Sequence, residues 1–246
     1  GLVTVLALLV LFAGGSEAAR APVPRGEIFV VGVDGHGRQN LTRTSAFESE
    51  LALSPAGRRM AYVRSEGTRG QIWVMNVDGS DQRRLTSGGD WEFSPQWSPD
   101  GRRLAYMVWD DSACTPESGS GCAVPDVWTV DADGSGQRKI LDSAFQPRWS
   151  PDGSKLLFQR YDANPDRATL GVYLASSDGT GARQLIGAML WASERAPPAW
   201  SPTGRTILWG AGTGAVRLHL LSLDGRKRRF LAVGVSPAWS HDGSRI

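Results

Sequence analysis

Two cysteines and three histidines are all that 246 residues hold, and that scarcity removes whole classes of chemistry. Cys114 and Cys122 have no CxxC partner and no Cys/His spacing suited to zinc. His36 falls in a turn, His219 in an apolar stripe and His241 in a repeated turn slot. None stands at motif spacing from a nucleophile or carboxylate, and no GxSxG elbow is present. The sequence therefore predicts a non-enzyme with no catalytic residues, no cofactor and no metal. Charge of one sign is missing too: Lys+Arg 27 against Asp+Glu 25 leaves +2, which gives no reason to expect nucleic acid or a membrane surface as an obligatory partner. A membrane span needs about 20 apolar residues, whereas the uncharged run Leu2–Ala13 has 12. Followed by small residues around Ser16-Glu17-Ala18, that run reads as a secretory signal peptide over residues 1–18, with a linker at 19–26. A buried strand is the alternative. The chain opens on Gly1, so its true beginning is expected upstream.

What the sequence does hold is a repeat. LALSPAGRRMAY from Leu51 returns as PQWSPDGRRLAY from Pro95, PRWSPDGSKLLF from Pro147, PAWSPTGRTILW from Pro198 and PAWSHDGSRI from Pro237. A second unit alternates with it: IFVVGVDG at Ile28, IWVMNVDG at Ile72, VWTVDADG at Val127, VYLASSDG at Val172 and LHLLSLDG at Leu218. From Leu53, Trp97, Trp149, Trp200 and Trp239 to the next apolar anchor, Met60, Leu104, Leu156, Ile207 and Ile246, the offset is always seven. Across the second unit, Ile28, Ile72, Val127 and Val172 lie thirteen before Leu41, Leu85, Ile140 and Leu185, and Leu218 lies twelve before Phe230. Each repeat thus predicts two hairpins, four short strands of β-branched and aromatic residues turning on Gly. Four strands recurring every 40 to 50 residues predict an all-β chain, a β-propeller of four-stranded antiparallel blades with about five repeats visible over residues 27–246. Glu27–Thr44 and Pro237–Ile246 are half-blades. Joined, they close a five-bladed ring; otherwise the chain is a six-bladed propeller cut short inside its last hairpin, with room for a further domain beyond Ile246.

The PxWSPDGxxLAF unit followed by IWVMxxDGSxxRxLT resembles the WD-like repeat of TolB-type β-propellers from Glu27 to Ile246. The resemblance implies a fold more firmly than a function, together with an exported, periplasmic or extracellular monomer. The repeating tryptophans are expected to fill the wedges between blades. His219, aligned with Phe29, Trp73, Trp128 and Tyr173, is expected to substitute for an aromatic side chain.

Both turns of constant length lie on one face. The remaining connections, 9 to 21 residues between hairpins and 9 to 15 between blades, gather on the other, where binding residues usually sit. That face is expected to carry Trp91, Glu92, Trp109, Asp110, Asp111, Arg160, Asp162, Trp191 and Arg195. Aromatics beside charges suit a protein or envelope component, glycan included. CTPESGSGC, also on this face, suggests a loop disulfide between Cys114 and Cys122, worth about 2.5 kcal/mol by loop closure, with two free thiols as the alternative. DADGSGQRKILD, Asp131–Asp142, spaces carboxylates like a calcium loop, but Arg138 and Lys139 interrupt it. RKRR at Arg226–Arg229 reads as a solvated turn. The expected function is an exported, non-catalytic scaffold or protein-binding propeller. The rival is the propeller of a prolyl-oligopeptidase-like serine hydrolase with its catalytic domain beyond residue 246.

Overall fold

A computed structural model describes residues 7–10, 26–67, 69–88, 90–109, 125–161, 169–190, 198–211, 215–235 and 237–246. Among these residues there is no helix. Four blades follow one another, each a four-stranded antiparallel sheet in simple sequence order. The first is built from β4 (Phe47–Leu53), β5 (Arg59–Glu66), β6 (Arg69–Asn76) and β7 (Arg83–Arg84). The second is built from β8 (Trp91–Trp97), β9 (Arg103–Trp109), β10 (Asp126–Asp131) and β11 (Arg138–Leu141). The third holds β12 (Phe145–Trp149), β13 (Lys155–Tyr161), β14 (Thr169–Ser176) and β15 (Arg183–Leu190). The fourth holds β16 (Ala199–Trp200), β17 (Thr206–Ala211), β18 (Arg217–Ser222) and β19 (Arg228–Val233). Ahead of them a three-stranded sheet joins β1 (Ala7–Val10), β2 (Ile28–Val31) and β3 (Gln39–Asn40).

The turns explain why this sequence forms hairpins of fixed length. In the second blade Ser98 Oγ donates to Asp100 Oδ1 at 2.6 Å and accepts the Arg103 N–H at 3.0 Å, while Asp100 Oδ1 takes the Arg102 N–H at 3.0 Å. Gly101, at φ 68°, completes the turn where a side chain would be strained. The same bonds recur through Ser150 and Asp152 and through Ser240 and Asp242. Side chains thus satisfy turn amides that water would otherwise hold.

Each interface between consecutive sheets is a separate apolar core. Ala61, Ile72, Val74, Trp97, Leu104 and Tyr106 fill the one between the first and second blades. Trp149, Leu156 and Phe158 belong to the next, and Leu157, Leu174, Ile207 and Trp209 to the one after. The repeated tryptophan fills the wedge as expected, and its indole N–H adds a cross-blade bond. Trp97 donates to Ala52 O at 3.1 Å, Trp149 to Gln96 O at 3.2 Å and Trp200 to Arg148 O at 3.1 Å.

Among the described residues no closed ring forms. Pro237–Ile246 forms its Ser-Asp turn but no strand, and among the described residues it shares no sheet with β2 and β3. Strand β1 pairs there with β2 instead, Ala7 opposite Val31 and Val10 opposite Ile28. The rest of residues 1–18, and the linker up to residue 25, lie outside the described residues.

Candidate functional site

The end of the blades carrying the variable connections is shaped by a recurring irregularity in the innermost strands. Glu50, Ser94 and Gln146, each three residues before Leu53, Trp97 or Trp149, have φ of 50°, 53° and 54°. At each of them two residues of the inner strand oppose one of the next: Glu50 and Leu51 face Tyr62, Ser94 and Pro95 face Tyr106, Gln146 and Pro147 face Phe158. The extra residue is a β-bulge, and it reverses the inside–outside alternation above it. The bulges are also joined: Glu50 Oε2 accepts the Ser94 N–H at 2.6 Å and its hydroxyl at 3.0 Å, across the interface.

Reversal explains the fate of Glu92. Five residues before Trp97, it turns towards the first blade, where it is 1% exposed. There it accepts the Ile72 N–H at 3.2 Å and bonds the Thr86 hydroxyl. Burial pushes its carboxyl up, against the lowering effect of those bonds. Glu92 is therefore corrected from an exposed contact residue to an internal tie. Glu48, at the same offset from Leu53, is also fully buried and accepts from Arg64 Nε at 3.0 Å and Thr44 Oγ1 at 2.6 Å. Arg64 completes that network by donating to Tyr62 Oη at 3.1 Å and Gln82 Oε1 at 2.8 Å, and it lies 4.1 Å from the Trp73 ring. Burial, the largest cause, pushes the Tyr62 hydroxyl up to about 12.

Trp91 begins β8 directly opposite Trp109, which ends β9. Trp91 is 46% exposed and Trp109 half-buried, so the pair presents aromatic surface at the strand ends. Arg160, at the end of β13, is partly engaged: Nη2 donates to Asp142 O at 2.8 Å, with the guanidinium 5.4 Å from the Phe158 ring and 5.5 Å from that of Tyr173. Asp110, Asp111, Asp162, Trp191 and Arg195, with Cys114 and Cys122, lie outside the described residues.

Other polar candidates are structural. His219 faces Trp209 across the sheet with ring centroids 5.7 Å apart, and its Nε2 accepts from Arg228 Nη2 at 2.8 Å. Burial first, then Arg228 and Arg217, lowers its pKa. Lys139 bridges Asp126 at 3.2 Å and Asp142 at 2.7 Å, which occupies a carboxylate of the calcium-like stretch. Among the described residues no three His, Cys, Asp or Glu side chains gather as a metal site.

Residues 21–117 match the family model described as the TolB beta propeller domain. That segment carries the TolB-type propeller repeat. Over 85 residues it is 34% identical to an uncharacterized protein of Agrobacterium fabrum (strain C58), a match covering 32% of this chain and 29% of that one. TolB from Acinetobacter baumannii shares the fold at a TM-score of 0.61 and 17% identity, over 83% of this chain and 48% of that one. The chain thus spans less than half the length of either relative. Two enzymes are comparably similar in fold. Oligogalacturonate lyase from Vibrio parahaemolyticus gives a TM-score of 0.63 at 12% identity, over 89% of this chain and 63% of that one. A puromycin-hydrolyzing peptidase of Mycobacterium tuberculosis gives 0.63 at 21% identity, over 83% and 35%. At these identities the likeness is one of fold.

Proposed function

We propose that this chain is an exported, non-catalytic propeller that binds a protein or envelope component through the end of the blades where Trp91 and Trp109 meet. The carrying observation is that aromatic pair: Trp91 is 46% exposed while the repeated Trp97 and Trp149 are each 8% exposed. A large ring left in water at the rim of variable loops is the anchor that interfaces favour. Export is supported by the uncharged run Leu2–Ala13 with small residues behind it.

The test is capture from a cell-envelope extract by the native chain and by Trp91→Ala and Trp109→Ala. Loss of a specifically retained component in both variants, with the thermal transition kept, supports the reading. Equal retention by all three overturns the assignment of this face. A second reading follows from the likeness to the puromycin-hydrolyzing peptidase, of which the match covers 35%: the chain is then the propeller of a serine hydrolase. Labelling of the product of the whole reading frame by a fluorophosphonate distinguishes the two.

A further inference from the structure

The opposite end of the blades, where the constant turns lie, holds an internal comparison that points to a ligand. Between the first and second blades, Arg59 reaches across with its guanidinium 5.4 Å from the centre of the Trp97 ring, and its Nη2 donates to Ala132 O at 3.0 Å. Between the second and third, the Arg103 guanidinium likewise lies 5.1 Å from the centre of the Trp149 ring. Both arginines are half-buried and both tryptophans are 8% exposed. The third copy of this position is Lys155, six residues after Trp149 as Arg103 is six after Trp97. Lys155 is exposed, and Trp200, the ring its counterparts would cover, is only half-buried. What remains is a groove of about 330 Å³ lined by Asp152, Lys155, Trp200, Thr203 and Leu223 among others.

The ring and the carbonyl that hold Arg59 both have counterparts around that groove. Leu223 O corresponds to Ala132 O, both lying two residues before the glycine of the second turn. Ala132 O accepts from Arg59 and Arg83, whereas Leu223 O accepts from Arg183 at 2.7 Å, the counterpart of Arg83. The lone pair that Arg59 takes is thus available at Leu223. Asp152 adds a carboxylate where the first blade has Ala56, and its Ser150 and Ser154 hydrogen bonds keep it ionised down to about pH 2. An indole face, a carbonyl oxygen and a carboxylate, the last set against the Lys155 ammonium in the same lining, are the groups that a planar cation would meet there.

We propose that this groove receives an arginine side chain of a partner protein, which completes between the third and fourth blades the arginine-over-tryptophan contact that the chain supplies itself in the two preceding interfaces. The site lies on the turn face, away from Trp91 and Trp109, so its failure and that of the proposed function are separable.

The probe is N-acetyl-arginine amide, titrated while the Trp200 indole N–H resonance is followed; Trp200→Leu, the residue type that blade one carries at Leu53, assigns that resonance. Saturable movement is expected with the arginine amide. Affinity should fall about ten-fold or more in Lys155→Arg, whose own guanidinium fills the groove, and binding by the neutral N-acetyl-citrulline amide should be weaker by a similar factor. Lys155→Arg should fold, since two sister interfaces already contain that pair. No saturable movement, an unchanged affinity in Lys155→Arg, or equal binding of the citrulline amide overturns the proposal. Free arginine binding ten-fold more tightly than the blocked amide overturns the assignment to a protein side chain.

Discussion

The interface between the first two blades and the one between the third and fourth share a backbone plan but differ in what fills it. In the former, Glu92 ties the variable-loop end to Ile72 and Thr86, Trp97 is buried in the middle, and Arg59 covers the turn end. In the latter, Gln159 is fully buried with neither amide atom bonded, the Trp209 indole N–H is also unpaired, and Trp200 is half-buried above an open groove. Unpaired buried polar atoms occur in both, Tyr106 Oη and Trp128 Nε1 in the former as well as Gln159 and Trp209 Nε1 in the latter, each costing about 1 to 3 kcal/mol. What separates the two is the pair of ties, Glu92 at one end and Arg59 at the other, that the former has. The difference teaches that fold and stability are separately encoded here: the turns and the tryptophan column set the blade, and the residues around them set how tightly adjacent blades hold.

The comparison predicts its own breaking points. The largest effect is expected from Trp97→Ala, which removes a buried ring, its bond to Ala52 and the platform under Arg59; about 3 to 5 kcal/mol should be lost in urea unfolding. Trp200→Ala should cost clearly less, because that ring is half-buried and no guanidinium covers it. Equal losses would mean that the two interfaces are energetically alike.

Next comes Glu92→Ala, which leaves the Thr86 hydroxyl without its carboxylate, for about 1 to 3 kcal/mol. Glu92→Gln sharpens the point through pH. Burial holds this carboxyl above its ordinary 4.5, so the folded chain keeps the proton more readily than the unfolded one. The stability this group contributes is complete below pH 4.5 and is lost as pH rises through the higher folded value. The glutamine variant should lack that decline when unfolding is measured across the mildly acid range.

The smallest effect is expected from Asp152→Ala. Ser150, the larger cause, and Ser154 hold its carboxyl at about 2, so its contribution is present above 3.8 and fades as pH falls towards 2. The side chain is exposed and Ala56 already fills the same slot in the first blade, so under about 1 kcal/mol should be lost at neutral pH.

Much of the blade was legible beforehand. Constant offsets fixed both hairpins, and the tryptophan column lies where large side chains fill the wedges. The role of Glu92 was not legible, for a definite reason. Strict alternation puts a residue five places from Trp97 on the opposite face of the strand. The bulge at Ser94 and Pro95 restores it to the same one. No glycine marks that bulge, since Glu50, Ser94 and Gln146 adopt the left-handed conformation themselves. A signal was available in Glu48 and Glu92 standing at one offset. Likewise Arg59, Arg103 and Lys155 form one column of the repeat, but only the fold reveals that its two arginines reach the next blade's indole. Of the two readings of the half-blades, a five-bladed closure and a longer propeller cut short, the described residues show no closed ring: Pro237–Ile246 shares no sheet with β2 and β3.

The indole bonds also impose a direction on assembly. In every bonded case the donor, Trp97, Trp149 or Trp200, lies later in the chain than its acceptor, Ala52, Gln96 or Arg148. A polypeptide emerging from its amino-terminal side, from a ribosome or across a membrane, has each docking surface finished before the residue that needs it arrives, and so can add blades one at a time like successive treads of a stair.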